Sequence, residues 1–202
     1  MAIDRLWAPW RMAYILSATG SAPAAASGDG AQECIFCRFP AEGKAAQERH
    51  QILCSTPQAF VIMNRFPYNP GHVMVVPRRH TADLMALPAD EYQATCELLR
   101  QSVARVSREL SAHGVNLGMN LGRVAGAGID QHAHFHIVPR WNGDTNFMPV
   151  VGDVKVLSEH MLATYEKLRP AFADLQRDDE AAAGGGDDET AAEGGGFRVG
   201  NG

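Results

Sequence analysis

The 202 residues carry 18 Lys and Arg against 23 Asp and Glu, a formal net charge of −5, and the length suits one ordinary domain with a real core. Seven acids and one base fall in residues 178–202, which leaves the rest of the chain near neutral at +1. Such a body gives no electrostatic case for duplex nucleic acid or an anionic membrane, and no apolar run reaches the length that spans a bilayer.

Residues 1–16 include Trp7, Trp10 and Tyr14, too many rings for a free tail, and read as a segment that docks on the body or on a partner subunit. Asp4, Arg5 and Arg11 make the stretch unlike a secretory signal. Ala, Gly, Ser and Pro dominate residues 17–32, which read as a flexible linker. Cys34 and Cys37 follow as Cys-x-x-Cys. Two thiolates at that spacing can reach one tetrahedral ion but supply half a site. His50, His72, His80, His113 and the later histidines are candidates for the other half, and a redox pair is the alternative. Four cysteines in this pattern fit a reduced cytoplasm, with Cys54 and Cys96 as small core residues.

Gln51 to Ser55 and Phe60 to Asn64 read as short strands, and His72 to Pro77 as a buried one. Between them, Pro67, Pro70 and Gly71 shape a loop flanked by Asn64 and His72, which could both look into one cleft; an ordinary turn role for Asn64 stands beside that. Pro88, Asp90 and Glu91 open a helix whose Tyr92, Cys96, Leu99, Val103, Val106 and Leu110 form a core stripe, with Gly114 as the expected stop. Val115 to Asn120 reads as a strand light in side chains. The glycine-bearing loop after it, through Gly126 and Gly128, can offer N–H groups to phosphate oxygens, or is a plain hairpin; it matches neither dinucleotide nor P-loop spacing. Ser158 is placed to cap a last helix with Met161, Tyr165, Leu168 and Phe172 on its apolar side and a break at Pro170. Residues 178–202 read as a disordered acidic tail.

The most informative stretch lies just before that helix. His132, His134 and His136 alternate with Ala133, Phe135 and Ile137, the period of a strand, so the three histidines share one face. Successive members stand about 6.6 to 6.8 Å apart along the strand, and the outer two about 13 Å, too far to ligate one ion easily. A row of different roles suits them better, although His132 and His134 as a zinc-chelating pair remain an alternative. A purely structural row is the bland reading, weakened by the cost of burying three imidazoles without obvious partners.

His-x-His-x-His-Ile-Val resembles the histidine-triad superfamily, and three further stretches stand in the family's order: Asn64 to His72, Asn120-Leu121-Gly122 with the glycine loop, and Leu6 to Arg11 together with Val138 to Phe147. The last set is similar to a bacterial branch that includes diadenosine tetraphosphate phosphorylases. The resemblance implies an α+β fold, with an antiparallel sheet of about five strands, helices packed on one side and a catalytic domain over residues 33–177, paired as a homodimer. It implies a small-molecule nucleotide substrate. His134 would be the nucleophile on the α-phosphorus, His136 a phosphate contact, Asn64 and His72 substrate-side residues, and Asn120 and Gly128 phosphate or ribose contacts. Gly128 stands where many relatives have Ser or Thr, so only its backbone N–H remains. The resemblance also gives a structural zinc site of Cys34, Cys37, His80 and His132. Rival readings are a nucleoside phosphoramidate hydrolase, a zinc hydrolase and a nucleotide-binding module without turnover.

Overall fold

The computed structural model describes residues 34–146, 151 and 159–177. The expected docking segment (1–16), the linker (17–32) and the acidic tail (178–202) lie outside them, as does Ser158. Chain order is α1 (Ile35–Ala41), α2 (Lys44–His50), β1 (Ile52–Ser55), β2 (Ala59–Met63), β3 (Val73–Pro77), α3 (Ala89–Glu109), β4 (Gly114–Met119), β5 (Phe135–Arg140) and α4 (Met161–Leu168). The five strands form one antiparallel sheet in the order β1-β2-β3-β5-β4. No helix among the described residues is long and apolar enough to cross a membrane.

β1, β2 and β3 are buried at every position because both sheet faces are covered. On one face Val61, Met63, Val73, Val75 and Ile137 pack against Leu98, Leu99 and Val106 of α3 and Tyr165 and Leu168 of α4. This is the expected helical layer. The other face carries Phe60, Ile62, Met74 and Val76, and part of it is covered by Phe36 and Phe39 of α1. Register explains which polar residues join that second face. Ile62 lies opposite Met74, and Met74 opposite His136. Counting in twos along each strand then places Asn64, His72 and His134 on the same side.

Three expectations shift. The α3 stripe buries Thr95 and Ser102 and leaves Tyr92 exposed. Each hydroxyl donates to a carbonyl four residues back, Thr95 to Glu91 at 2.8 Å and Ser102 to Leu98 at 2.7 Å, so these polar residues meet the core without an unpaired group. α3 ends at Glu109, well before Gly114: Ser111 takes the left-handed turn at φ 49, and Gly114 opens β4 opposite Arg140. The last helix is capped by His160, whose Nδ1 accepts from the Leu162 N–H at 3.3 Å. At Pro170 the expected break appears as a change to a 3-10 turn, Arg169–Leu175.

The loop from Asn64 to His72 closes tightly on the sheet. Gly71 sits at φ +75, and a Cβ there would collide with Leu110. Asn69 is buried and donates to Pro139 O at 3.0 Å and to Asp144 Oδ2 at 2.7 Å. Asp144 in turn accepts two bonds from Arg140, at 2.6 and 2.8 Å, and that guanidinium holds its carboxyl well below the usual range. The loop is thereby pinned to the end of β5.

Candidate active site and metal centre

The Cys-x-x-Cys forms the start of α1. Cys34 is its N-cap, and the turn is closed by the Cys37 N–H donating to Cys34 O at 3.1 Å. His80 follows β3, and His132 lies in the bend before β5, so the antiparallel pairing of these two strands brings the two imidazoles together, and α1 packed on the sheet sets the cysteines against them. Ala133 N–H donates to Thr81 O at 2.7 Å and closes the gap. His132 Nε2–H donates to Pro77 O at 2.9 Å, which leaves the lone pair on Nδ1. That Nδ1 stands 3.4 Å from Cys34 Sγ, 3.6 Å from Cys37 Sγ and 3.3 Å from His80 Nδ1, and Cys37 Sγ is 3.3 Å from His80 Nδ1.

All four ligand atoms lie within 4.8 Å of one another. Sulfur at ~2.3 Å and nitrogen at ~2.0 Å from a tetrahedral ion stand about 3.3 to 3.8 Å apart, so these residues could hold a metal with little movement. Burial first, and then neighbouring Cys34, push the Cys37 thiol up to about 11. Two thiolates side by side need a cation between them. As a redox nucleophile, by contrast, the Cys37 thiol would stay protonated near neutral pH.

Two residues on, His134 is buried, and its Nδ1–H donates to the His132 carbonyl at 2.8 Å. The lone pair is therefore on Nε2. Burial pushes this imidazole's pKa down against that hydrogen bond, so it is neutral near pH 7. His136 is fixed by a different chain. Tyr68 N–H donates to His72 Nδ1 at 3.1 Å, His72 Nε2–H donates to His136 Nδ1 at 2.9 Å, and the His136 proton is left on Nε2. One histidine thus presents an acceptor and its neighbour a donor, with ring centroids 4.8 Å apart.

Both rings line a cavity of about 460 Å³ together with Asn64, Gly126 and Gly128. Ile35, Phe36, Phe39 and Ile62 make an apolar wall of the kind that takes a flat ring. Phe36 touches His132 and His134, with centroids 5.5 and 5.0 Å away, so both imidazoles look to the side of the sheet expected of them. The structure therefore brings together Cys34, Cys37, His80 and His132 at one point and Asn64, Gly128, His134 and His136 at another. His72 departs from the cleft-facing position expected of it: it is fully buried and bonded to His136, because the sheet register sets it diagonally behind that ring. Asn120 is half-buried just past β4 and is outside the cavity lining.

A HIT domain profile matches residues 45–143. The AP-4-A phosphorylase of Mycobacterium tuberculosis is 35% identical over 172 residues, covering 85% of this chain and 85% of that protein. The chain belongs to the HIT family. Its fold is similar to a Zn-bound histidine triad family protein from Mycobacterium smegmatis, with a TM-score of 0.55 and 26% identity over 75% of this chain and 99% of that one. A hypothetical histidine triad nucleotide-binding protein from Sulfolobus tokodaii strain7 shares the fold at a TM-score of 0.56 and 22% identity, over 70% and 93% of the two chains.

Several residues of this HIT site escape a reading by motif. Ile35, Phe36 and Phe39 belong to the wall as well as to the Cys-x-x-Cys helix, and the signal was their apolar character inside and beside that motif. His50, a candidate metal ligand by composition, instead lines the cavity, stacked on Phe39 at 3.8 Å and 2.8 Å from Glu42 Oε2.

The buried histidines predict that this chain loses stability in acid. Burial, and then the charge of His134, hold the His136 pKa at about 4, against about 6.5 in an unfolded chain. Between those values the unfolded state binds more protons, so stability rises with pH and is lost as pH falls from about 6.5 toward 4. Urea unfolding at pH 7 and pH 5 should show a smaller drop in His136→Gln than in the wild type. An equal drop would remove His136 from the acid response.

Proposed function

We propose that this HIT protein splits dinucleoside polyphosphates by passing a nucleotidyl group through His134. The observation that carries the reading is the neutral His134, with its Nδ1–H tied to the His132 carbonyl and its lone pair on Nε2, in the wall of a cavity with an apolar end. Nε2 attacks the α-phosphorus, and the bond to the bridging oxygen of the remaining polyphosphate breaks. His136 Nε2–H donates to the phosphate oxygens as charge gathers there, and the N–H groups of the glycine loop assist. Phosphate or water then takes the nucleotidyl group and frees the imidazole. Asn64 is suited to the ribose hydroxyls. The 35% identity to an AP-4-A phosphorylase over most of both chains supports the same substrate class.

In this reading the metal is zinc, held by Cys34, Cys37, His80 and His132, which would fill a tetrahedron and leave no open position for chemistry. The Zn-bound relative with the same fold supports that choice. A homodimer in the cytoplasm completes the proposal. β4 is an edge strand with Leu117 54% exposed, a surface that a second copy would cover.

The test compares diadenosine tetraphosphate with an adenosine phosphoramidate at matched concentration, with and without phosphate. The dinucleotide should show the higher kcat/KM, giving ADP where phosphate is the acceptor and AMP where water is. Preference for the phosphoramidate would transfer the same residues to a phosphoramidate hydrolase, and no turnover of either would leave a binding module.

A further inference from the structure

Two residues of the cavity wall have no task in the transfer itself. Phe66 is 87% exposed, the most exposed aromatic ring among the described residues, yet it lines the cavity. Its backbone is not loose: the Phe66 N–H donates to Asn64 Oδ1 at 2.9 Å, and Pro67 follows. A ring held outward on a pinned loop at the mouth of a cavity is placed to stack on a flat partner leaving that cavity. Beside it, Arg65 also lines the cavity, is exposed, and makes no hydrogen bond or ion pair with any described residue.

A dinucleoside polyphosphate has two nucleosides joined by an anionic chain. A cavity of about 460 Å³ encloses one ordinary small-molecule unit. When one nucleoside lies against Ile35, Phe36 and Phe39, the rest of the molecule must leave through the mouth. We propose that Arg65 and Phe66 form a second subsite there, with Phe66 stacking the outer nucleobase and Arg65 pairing with the phosphate chain. The subsite selects dinucleoside polyphosphates over mononucleotides carrying the same inner base. This rests on the nucleotide reading above and adds the residues that read the far half of the substrate.

Calorimetric titration of the full chain with AMP, ATP and a methylene-bridged, uncleavable diadenosine tetraphosphate separates the two ideas. Wild type should bind the dinucleoside analogue tighter than ATP. Phe66→Ala should weaken that analogue about tenfold, the scale of one base–aromatic stack, while leaving AMP within about twofold. Arg65→Gln should weaken ATP and the analogue alike, relative to AMP. Equal affinity of wild type for ATP and the analogue, or an equal loss for AMP in Phe66→Ala, overturns the subsite while leaving nucleotide binding intact. If AMP, ATP and the analogue all fail to bind, the nucleotide reading falls and takes the subsite with it.

Discussion

His134→Ala is expected to lower turnover of diadenosine tetraphosphate by about 10,000-fold or more, the scale seen when a nucleophile that cannot be bypassed is removed. AMP affinity should stay within a few-fold, because the apolar wall and Asn64 are untouched. The size of the effect follows from how completely this ring is prepared. Burial keeps it neutral, the His132 carbonyl holds its proton on Nδ1, and the reacting lone pair is left on Nε2. No other described imidazole in the cavity can take over. His136 has its Nδ1 occupied by His72 and is left a donor, and His50 is stacked on Phe39. The direct readout is mass spectrometry after brief exposure to substrate. A nucleotidyl adduct on His134 should appear, stable in base and lost in acid as phosphoramidates are. Turnover within tenfold of wild type in the alanine variant would exclude the covalent route.

Much of this site is written locally in the chain, and some of it is not. The alternation of His132, His134 and His136 is visible at a glance, because a strand's period of two needs no tertiary information. What alternation does not reveal is that the three rings serve three neighbours. β5 begins only at Phe135, so His132 bends toward α1 while His134 stays in the cavity. His80 and Cys34 are separated from His132 by 52 and 98 positions; the β3–β5 pairing brings His80 to it, and the packing of α1 on the sheet brings Cys34. His72 has the same dependence, since its place behind His136 comes from a register that hydrophobicity cannot specify. Local rules failed where a polar side chain could satisfy itself: Thr95 and Ser102 turn α3 slightly from the stripe its apolar residues suggest. Nor does anything local mark Asp144 as the anchor of both Arg140 and Asn69.

The proposed zinc site is expected to carry the largest stability effect. Zinc content should be one per chain in protein purified without added metal, and strong chelation or Cys34→Ser should lower Tm by about 10 °C, given roughly 3 kcal/mol or more at 2–4 °C per kcal/mol. The four candidate ligands come from α1, the end of β3 and the approach to β5 and meet at one point, so losing an ion held there would release three segments together. It would also leave a Cys37 thiol that burial keeps protonated, and a His132 ring whose Nδ1 faces sulfur and imidazole in place of the ion. The damage would reach the chemistry by two routes. Ile35 and Phe36, between the cysteines, are cavity wall, so AMP affinity should fall with Tm. The His132 carbonyl is what orients His134, so the adduct should form more slowly even at saturating nucleotide. A zinc hydrolase predicts the reverse pattern, with activity abolished by chelation while Tm and AMP affinity are unchanged. A chain that carries no zinc, or one whose Tm moves by less than about 2 °C on its removal, would leave the four residues as a cluster without a structural ion.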